Sequence, residues 1–137
     1  MKEFLPSMIR TNRGHMVTIA SVASFVAVGE MVDDCCSKAS ALAFHDGLRQ
    51  ELKYWYEAPN VLISIVHPLW VRAPMIKGFT SYQDEFRQLF SPKVVYEAVI
   101  ERLVSRKRGQ IVLPRRIRVA GSFRWFLLWM QEPVRSH

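Results

Sequence analysis

Residues 61–66, Val-Leu-Ile-Ser-Ile-Val, carry apolar side chains at successive positions instead of alternate ones. A strand sends consecutive side chains to opposite faces, so such a run is stable only where both faces are covered. A central strand of a parallel sheet with helices on both sides meets that demand. The flanking pattern agrees. Residues 1–11 read as the end of a helix begun upstream, because Pro6 fits only a first turn and Phe4, Met8 and Ile9 share one side. Asn12-Arg13-Gly14-His15 is a turn with Gly14 as helix C-cap. Residues 16–20 read as a short buried strand and residues 21–33 as a loop. Asp33 or Asp34 N-caps a second helix reaching about Tyr56, with Ala39, Leu42, Ala43, Leu48, Leu52 and Trp55 as its apolar stripe. Ser91-Pro92 opens a third helix with Val95, Val99 and Leu103 inward, Gly109 ends it, and residues 110–113 form a last strand.

Alternation of this kind predicts an α/β fold with a parallel sheet. Three strands make a thin sheet whose first edge is bare and apolar, a recognised liability, so further strands belong on its N-terminal side.

Composition narrows the class. The chain has 137 residues, 50% apolar and 23% charged, which excludes disorder over its whole length. There is no internal repeat. No apolar run approaches the ~20 residues that span a bilayer, and the N-terminus lacks the apolar core of a secretory signal. Cys35 and Cys36 are adjacent, so no framework disulfide exists and a reducing compartment is expected; both read as buried or half-buried fillers. His15, His45 and His67 lack metal-ligand spacing, and no metal is expected.

The net charge of +7 is concentrated in the tail: residues 102–137 hold nine Lys and Arg against Glu132 alone. Nucleic acid, an anionic membrane surface and a plain solvated face are the readings such a patch permits. Within it, Phe123-Arg124-Trp125-Phe126-Leu127-Leu128-Trp129-Met130 is too short to span a membrane and suits either an interface-lying segment or the cover of an apolar pocket.

One constellation carries more. A strand ends in Ser21; Lys38 follows in Cys35-Cys36-Ser37-Lys38-Ala39-Ser40-Ala41-Leu42; a second buried strand ends in Val66-His67-Pro68. This order and spacing closely resemble the C-terminal half of the short-chain dehydrogenase/reductase family, over residues 1–113, with wording nearest to a retinol-dehydrogenase-like, lipophilic-substrate branch of fungal type. The resemblance implies a partial Rossmann-like doubly wound sheet, of which the C-terminal three strands and their flanking helices are present. Residues 114–137 are then a basic-aromatic extension.

The family's chemistry accounts for the residue types. A tyrosine is general acid/base on a hydroxyl or carbonyl. A lysine four residues later, one helical turn away, lowers that tyrosine's pKa and binds the nicotinamide ribose. A serine thirteen residues before the tyrosine holds the substrate oxygen. By this resemblance Ser21 and Lys38 are the candidate catalytic residues, and Lys38, Pro68 and Val71 the candidate contacts to NAD or NADP.

Three departures follow. Asp34 stands at the tyrosine position; an aspartate carboxylate has no proton to give at neutral pH and is shorter than a phenol. It is expected to be non-functional and to form an ordinary i,i+4 ion pair with Lys38. After Pro68, Leu69 replaces the family's glycine and Ala73 its threonine, removing a cofactor hydrogen bond worth ~1 kcal/mol. No G-x-G-x-x-G occurs in this sequence, and the first strand matches the family's fifth, so the phosphate loop and the family's catalytic asparagine fall outside it.

The expected function is therefore NAD(P)-dependent redox of a lipophilic alcohol or carbonyl by lineage, inactive or impaired in this chain. The alternative is a non-catalytic fragment pairing with a full-length relative, as homo- or heterodimer, through the helix at residues 34–56. Residues 115–130 are the expected membrane contact, on the cytoplasmic side, with Trp70 and Met75 as candidates for a substrate mouth. Nucleic acid drops out as a partner.

Overall fold

The computed structural model describes residues 2–27, 29–71 and 91–113. In chain order these form α1 (Leu5–Thr11), β1 (Gly14–Ile19), a 3-10 turn (Val22–Ser24), α2 (Val32–Tyr54), β2 (Val61–Pro68), α3 (Pro92–Ser105) and β3 (Gly109–Leu113). The strands make one three-stranded parallel sheet in the order β1-β2-β3. Gly14 pairs with Val61 and Ile19 with Val66, while Ser64 pairs with Gly109 and Pro68 with Leu113.

Every residue of β2 is buried, as its two-faced apolar run requires. Its alternate side chains enter different cores. Val61 and Ile63 join Leu48, Leu52 and Ala58 beneath Leu5, Met8 and Ile9 of α1, and Ile65 joins Ala20 and Leu42 with Phe25 alongside. Val66 joins Ile111 and Leu113 on the other face, under Val95, Ala98 and Val99 of α3. So α1 and α2 cover one side of the sheet and α3 the other.

Several local expectations are corrected. Helix α1 spans Leu5–Thr11, with Pro6 in its first turn where no intrahelical N–H is needed. Its C-cap is Asn12, left-handed at φ 45°, and Gly14 instead opens β1. A Cβ on Gly14 would lie 2.6 Å from Met8 Cγ, so glycine is there to admit α1. β1 is half-buried, being the outer strand. Met31 caps α2 without a side-chain bond, and Asp33 and Asp34 lie inside its first turn, where the positive end of the helix favours carboxylates.

Trp55 falls out of the apolar stripe. The helix ends at Tyr54, and Glu57 turns left-handed at φ 46°, which leaves the indole 77% exposed. Cys35 is buried but Cys36 is exposed, since neighbouring helical residues point about 100° apart. Helix α3 has the expected Ser91 cap, its hydroxyl accepting from Lys93 N–H at 3.3 Å, with Pro92 in the first turn. Its C-cap is Arg106 at φ 48°, while Gly109, at φ 115°, begins β3. Leu103 is exposed, because the chain turns away at Arg106 within that last turn. No helix of the described residues is long and apolar enough to cross a membrane.

Candidate active site

The ends of β1 and β2 are joined around Ser21. Ala20 N–H still donates to the Val66 carbonyl at 2.8 Å, and then the chain leaves the ladder. Ser21 is extended (φ −160°, ψ 164°), and its Oγ accepts from Ala23 N–H at 3.2 Å, capping the 3-10 turn. The same hydroxyl donates to the Pro68 carbonyl at 3.3 Å. Proline has no N–H to give, so a strand continuing through Pro68 offers only its carbonyl, and Ser21 uses it. Residues 67–68 are thus the last two residues of β2.

His67 was not among the candidate site residues read from the sequence. Its side chain is fully buried, its Nδ1–H donates to the Ser21 carbonyl at 3.0 Å, and its ring lies 4.5 Å from that of Phe25. With the proton on Nδ1, Nε2 is a bare lone pair, buried and without a hydrogen-bond partner among the described residues. Burial holds the His67 pKa below the usual histidine value, opposed by the bond to Ser21 and by Asp46. His45, on α2, is also buried; burial lowers its pKa, with Arg49 and His67 adding to this and Asp46 opposing. The available signal was a histidine closing a strand in which every other position but Ser64 is apolar.

Lys38 and Asp34 lie one turn apart near the start of α2, both half-buried, and the 3-10 turn packs against this helix. The expected ion pair between them does not form, whereas Lys93 and Glu97, at the same i,i+4 spacing on α3, do pair at 3.8 Å. An exposed or half-exposed pair gains too little to fix two mobile side chains. Asp34 is engaged through its backbone instead, its carbonyl accepting from Ser37 Oγ at 2.8 Å. No hydrogen bond links Ser21 to Asp34 or Lys38. Val71 is half-buried just beyond β2, where Leu69 N–H donates to the Leu113 carbonyl at 2.9 Å. Ala73, Met75 and residues 115–130 lie outside the described residues.

The donor set limits what these residues can hold. Ser21 and Lys38 offer a hydroxyl and an ammonium of the kind that binds a substrate oxygen and a ribose. The turn after β1 reads Ala20-Ser21-Val22-Ala23, and the six glycines of the sequence form no G-x-G-x-x-G. The residues present therefore fit one end of a dinucleotide and not its pyrophosphate.

A parallel open sheet with helices on both faces, and a polar site at the strand ends, define a doubly wound α/β protein. The short chain dehydrogenase family model matches residues 1–84, and the chain belongs to that family. Among its curated relatives, dehydrogenase RED3 of Cochliobolus heterostrophus is 49% identical over 61 residues, covering 44% of this chain and 31% of the relative. Short-chain dehydrogenase/reductase family 16C member 6 of Bos taurus is 28% identical over 119 residues, covering 87% of this chain and 37% of the relative. Epidermal retinol dehydrogenase 2 of Homo sapiens is 29% identical over 106 residues, covering 77% and 34%. The chain thus spans about a third of the length of these relatives.

The fold agrees with solved structures. A short chain dehydrogenase from Burkholderia cenocepacia, in complex with NADP, superimposes with a TM-score of 0.73 at 20% identity, over 95% of this chain and 51% of that one. One from Sphingobium yanoikuyae, in complex with NADPH, gives 0.65 at 18% identity, over 93% and 48%.

Proposed function

We propose that this chain is the substrate-side half of a short chain dehydrogenase whose lineage carries out NAD(P)-dependent oxidation or reduction of a lipophilic alcohol or carbonyl, and that by itself it is inactive or severely impaired. Similarity to epidermal retinol dehydrogenase 2 and to estradiol 17-beta-dehydrogenase 11 of Macaca fascicularis supports the substrate class. Ser21 would hold the substrate oxygen, and Lys38, Pro68 and Val71 the nicotinamide end of the cofactor.

One observation carries the impairment: Asp34 occupies the helical position one turn before Lys38, where the family's chemistry needs a phenol. A carboxylate there neither reaches as far nor delivers a proton. Titration of the purified chain with NADH and NADPH, followed by assays on long-chain alcohols and aldehydes, tests the reading. Weak or absent binding and no turnover are expected, including for Asp34→Tyr. Tight cofactor binding with turnover would overturn it.

A second reading is an interaction fragment that pairs with a full-length relative through residues 34–56. An open groove of about 590 Å³ between α1 and α2, lined by Leu5, Ile9, Phe44, Leu48 and Tyr56 among others, favours it. Co-purification with such a relative would support it. In either reading residues 1–113 act as the family domain and 114–137 as an extension.

A further inference from the structure

The end of the sheet where the strands begin is built differently from the end that carries Ser21. Three chain reversals meet there: residues 12–13 before β1, 55–60 before β2 and 106–108 before β3. Hydrogen bonds tie them together. Asn60 N–H donates to Asn12 Oδ1 at 3.0 Å, and Arg108 Nη2 donates to the Pro59 carbonyl at 2.9 Å. Ser64 Oγ donates to the Lys107 carbonyl at 3.0 Å, which pins the third reversal to β2.

This end displays an unusual set of side chains. Tyr54, Trp55 and Tyr56 are 66%, 77% and 46% exposed, on consecutive residues. Around them Arg13, Lys53, Arg106, Lys107 and Arg108 are all exposed, and Glu57 is the only carboxylate in the three reversals and residues 53–56. Lys53 Nζ lies 4.8 Å from the centre of the Tyr54 ring, so cation and aromatic already share one surface.

Large rings left in water beside cations match the chemistry of a water–lipid boundary. Amphipathic Trp and Tyr settle at headgroup depth, and Lys and Arg are drawn to anionic headgroups. A single strand of nucleic acid is instead gripped by a groove whose aromatics meet successive bases. Consecutive exposed rings running from the last residue of α2 into the reversal after it, with cations beside them, suit a planar boundary better. We propose that this end of the sheet, residues 12–13, 53–60 and 106–108, docks onto an anionic membrane surface. The proposal does not depend on the enzymatic reading, and it names no residue of the 115–130 segment.

Flotation of the purified full chain with phosphatidylcholine vesicles, with and without phosphatidylserine, tests it. Binding is expected only with phosphatidylserine, and is expected to disappear as salt approaches 1 M, where the Debye length falls to ~3 Å. Loss of each cation should weaken partitioning roughly fivefold, so Arg13→Glu with Lys107→Glu is expected to cost more than tenfold. Trp55→Ser, which disturbs no buried contact, should weaken it severalfold and serves if the charge variant fails to fold by circular dichroism. Arg115→Glu with Arg116→Glu should retain binding. Equal binding to pure phosphatidylcholine, no binding at all, loss in the 115/116 variant alone, or tighter binding to a single-stranded oligonucleotide would overturn the proposal.

Discussion

The imidazole of His67 and the backbone carbonyl of Ser21 are joined by a 3.0 Å hydrogen bond that crosses from the end of β2 to the residue following β1. The candidate serine is therefore held from two directions: its carbonyl by His67, and its hydroxyl by the Pro68 carbonyl. What anchors Ser21 is the buried side chain next to that proline.

Replacing this side chain should be costly in a graded way. His67→Ala deletes a fully buried ring packed on Phe25 and leaves the Ser21 carbonyl without its donor. A loss of about 3 kcal/mol is expected, from cavity and unsatisfied acceptor together. His67→Phe keeps the ring contact and removes the orphaned Nε2, so it should cost less than His67→Ala. Urea unfolding of the three proteins gives the order, and equal losses would show that the ring contact contributes little.

Stability should depend on pH through the same residues. Burial holds the folded-state pKa of His67 and His45 below the ordinary value. Above the unfolded value of about 6.5, both states are neutral and the full stability is present. As pH falls below that value the unfolded chain takes up protons that the folded chain resists. Stability is then lost at up to about 1.4 kcal/mol per pH unit for each histidine. Thermal melts between neutral pH and pH 5 should show this decline, with a shallower slope in His67→Phe.

The absent Asp34–Lys38 ion pair has a direct energetic signature. In a double-mutant cycle of Asp34→Asn and Lys38→Met, the coupling energy should be under about 0.3 kcal/mol. Asp34→Asn alone should cost about 0.5 kcal/mol, because a first-turn carboxylate interacts with the helix dipole, and added salt should reduce that cost. A coupling above 1 kcal/mol would mean that the two side chains meet in solution.

Helix α3 buries no residue completely, so its start matters more than it would in a deeply packed helix. Ser91→Ala removes the acceptor for Lys93 N–H and should destabilise the chain by about 1 kcal/mol. Ser91→Asp, which restores an acceptor, should recover most of the loss in the same chemical-denaturation measurement.

The strands and helices were legible where a residue's local chemistry decides its structure. The two-faced apolar run of β2 and the Ser91-Pro92 start of α3 are such places. Helix ends were misread because both glycines were assigned as caps. The structure spends Gly14 on the close approach of Met8 and Gly109 on a φ of 115°, and it uses Asn12 and Arg106 in the left-handed turns. Ser21 and Lys38 were visible only through their spacing and its resemblance to a family. His67 could not be assigned from sequence, since its contact to Ser21 depends on the register that sets Ile19 beside Val66.

The enclosure of β2 also sets a hierarchy of motion. Its two faces are covered by helices on opposite sides, and both of its edges are hydrogen-bonded, whereas β1 and β3 each have one paired edge among the described residues. Solvent deuterium can reach the amides of β2 only after a neighbouring strand has separated. Their exchange is thus governed by unfolding of the whole sheet, while the outer strands can open by local fluctuation. Ser21, tied to the last two residues of β2, sits at the boundary between the slowest-exchanging part of the molecule and a half-exposed turn.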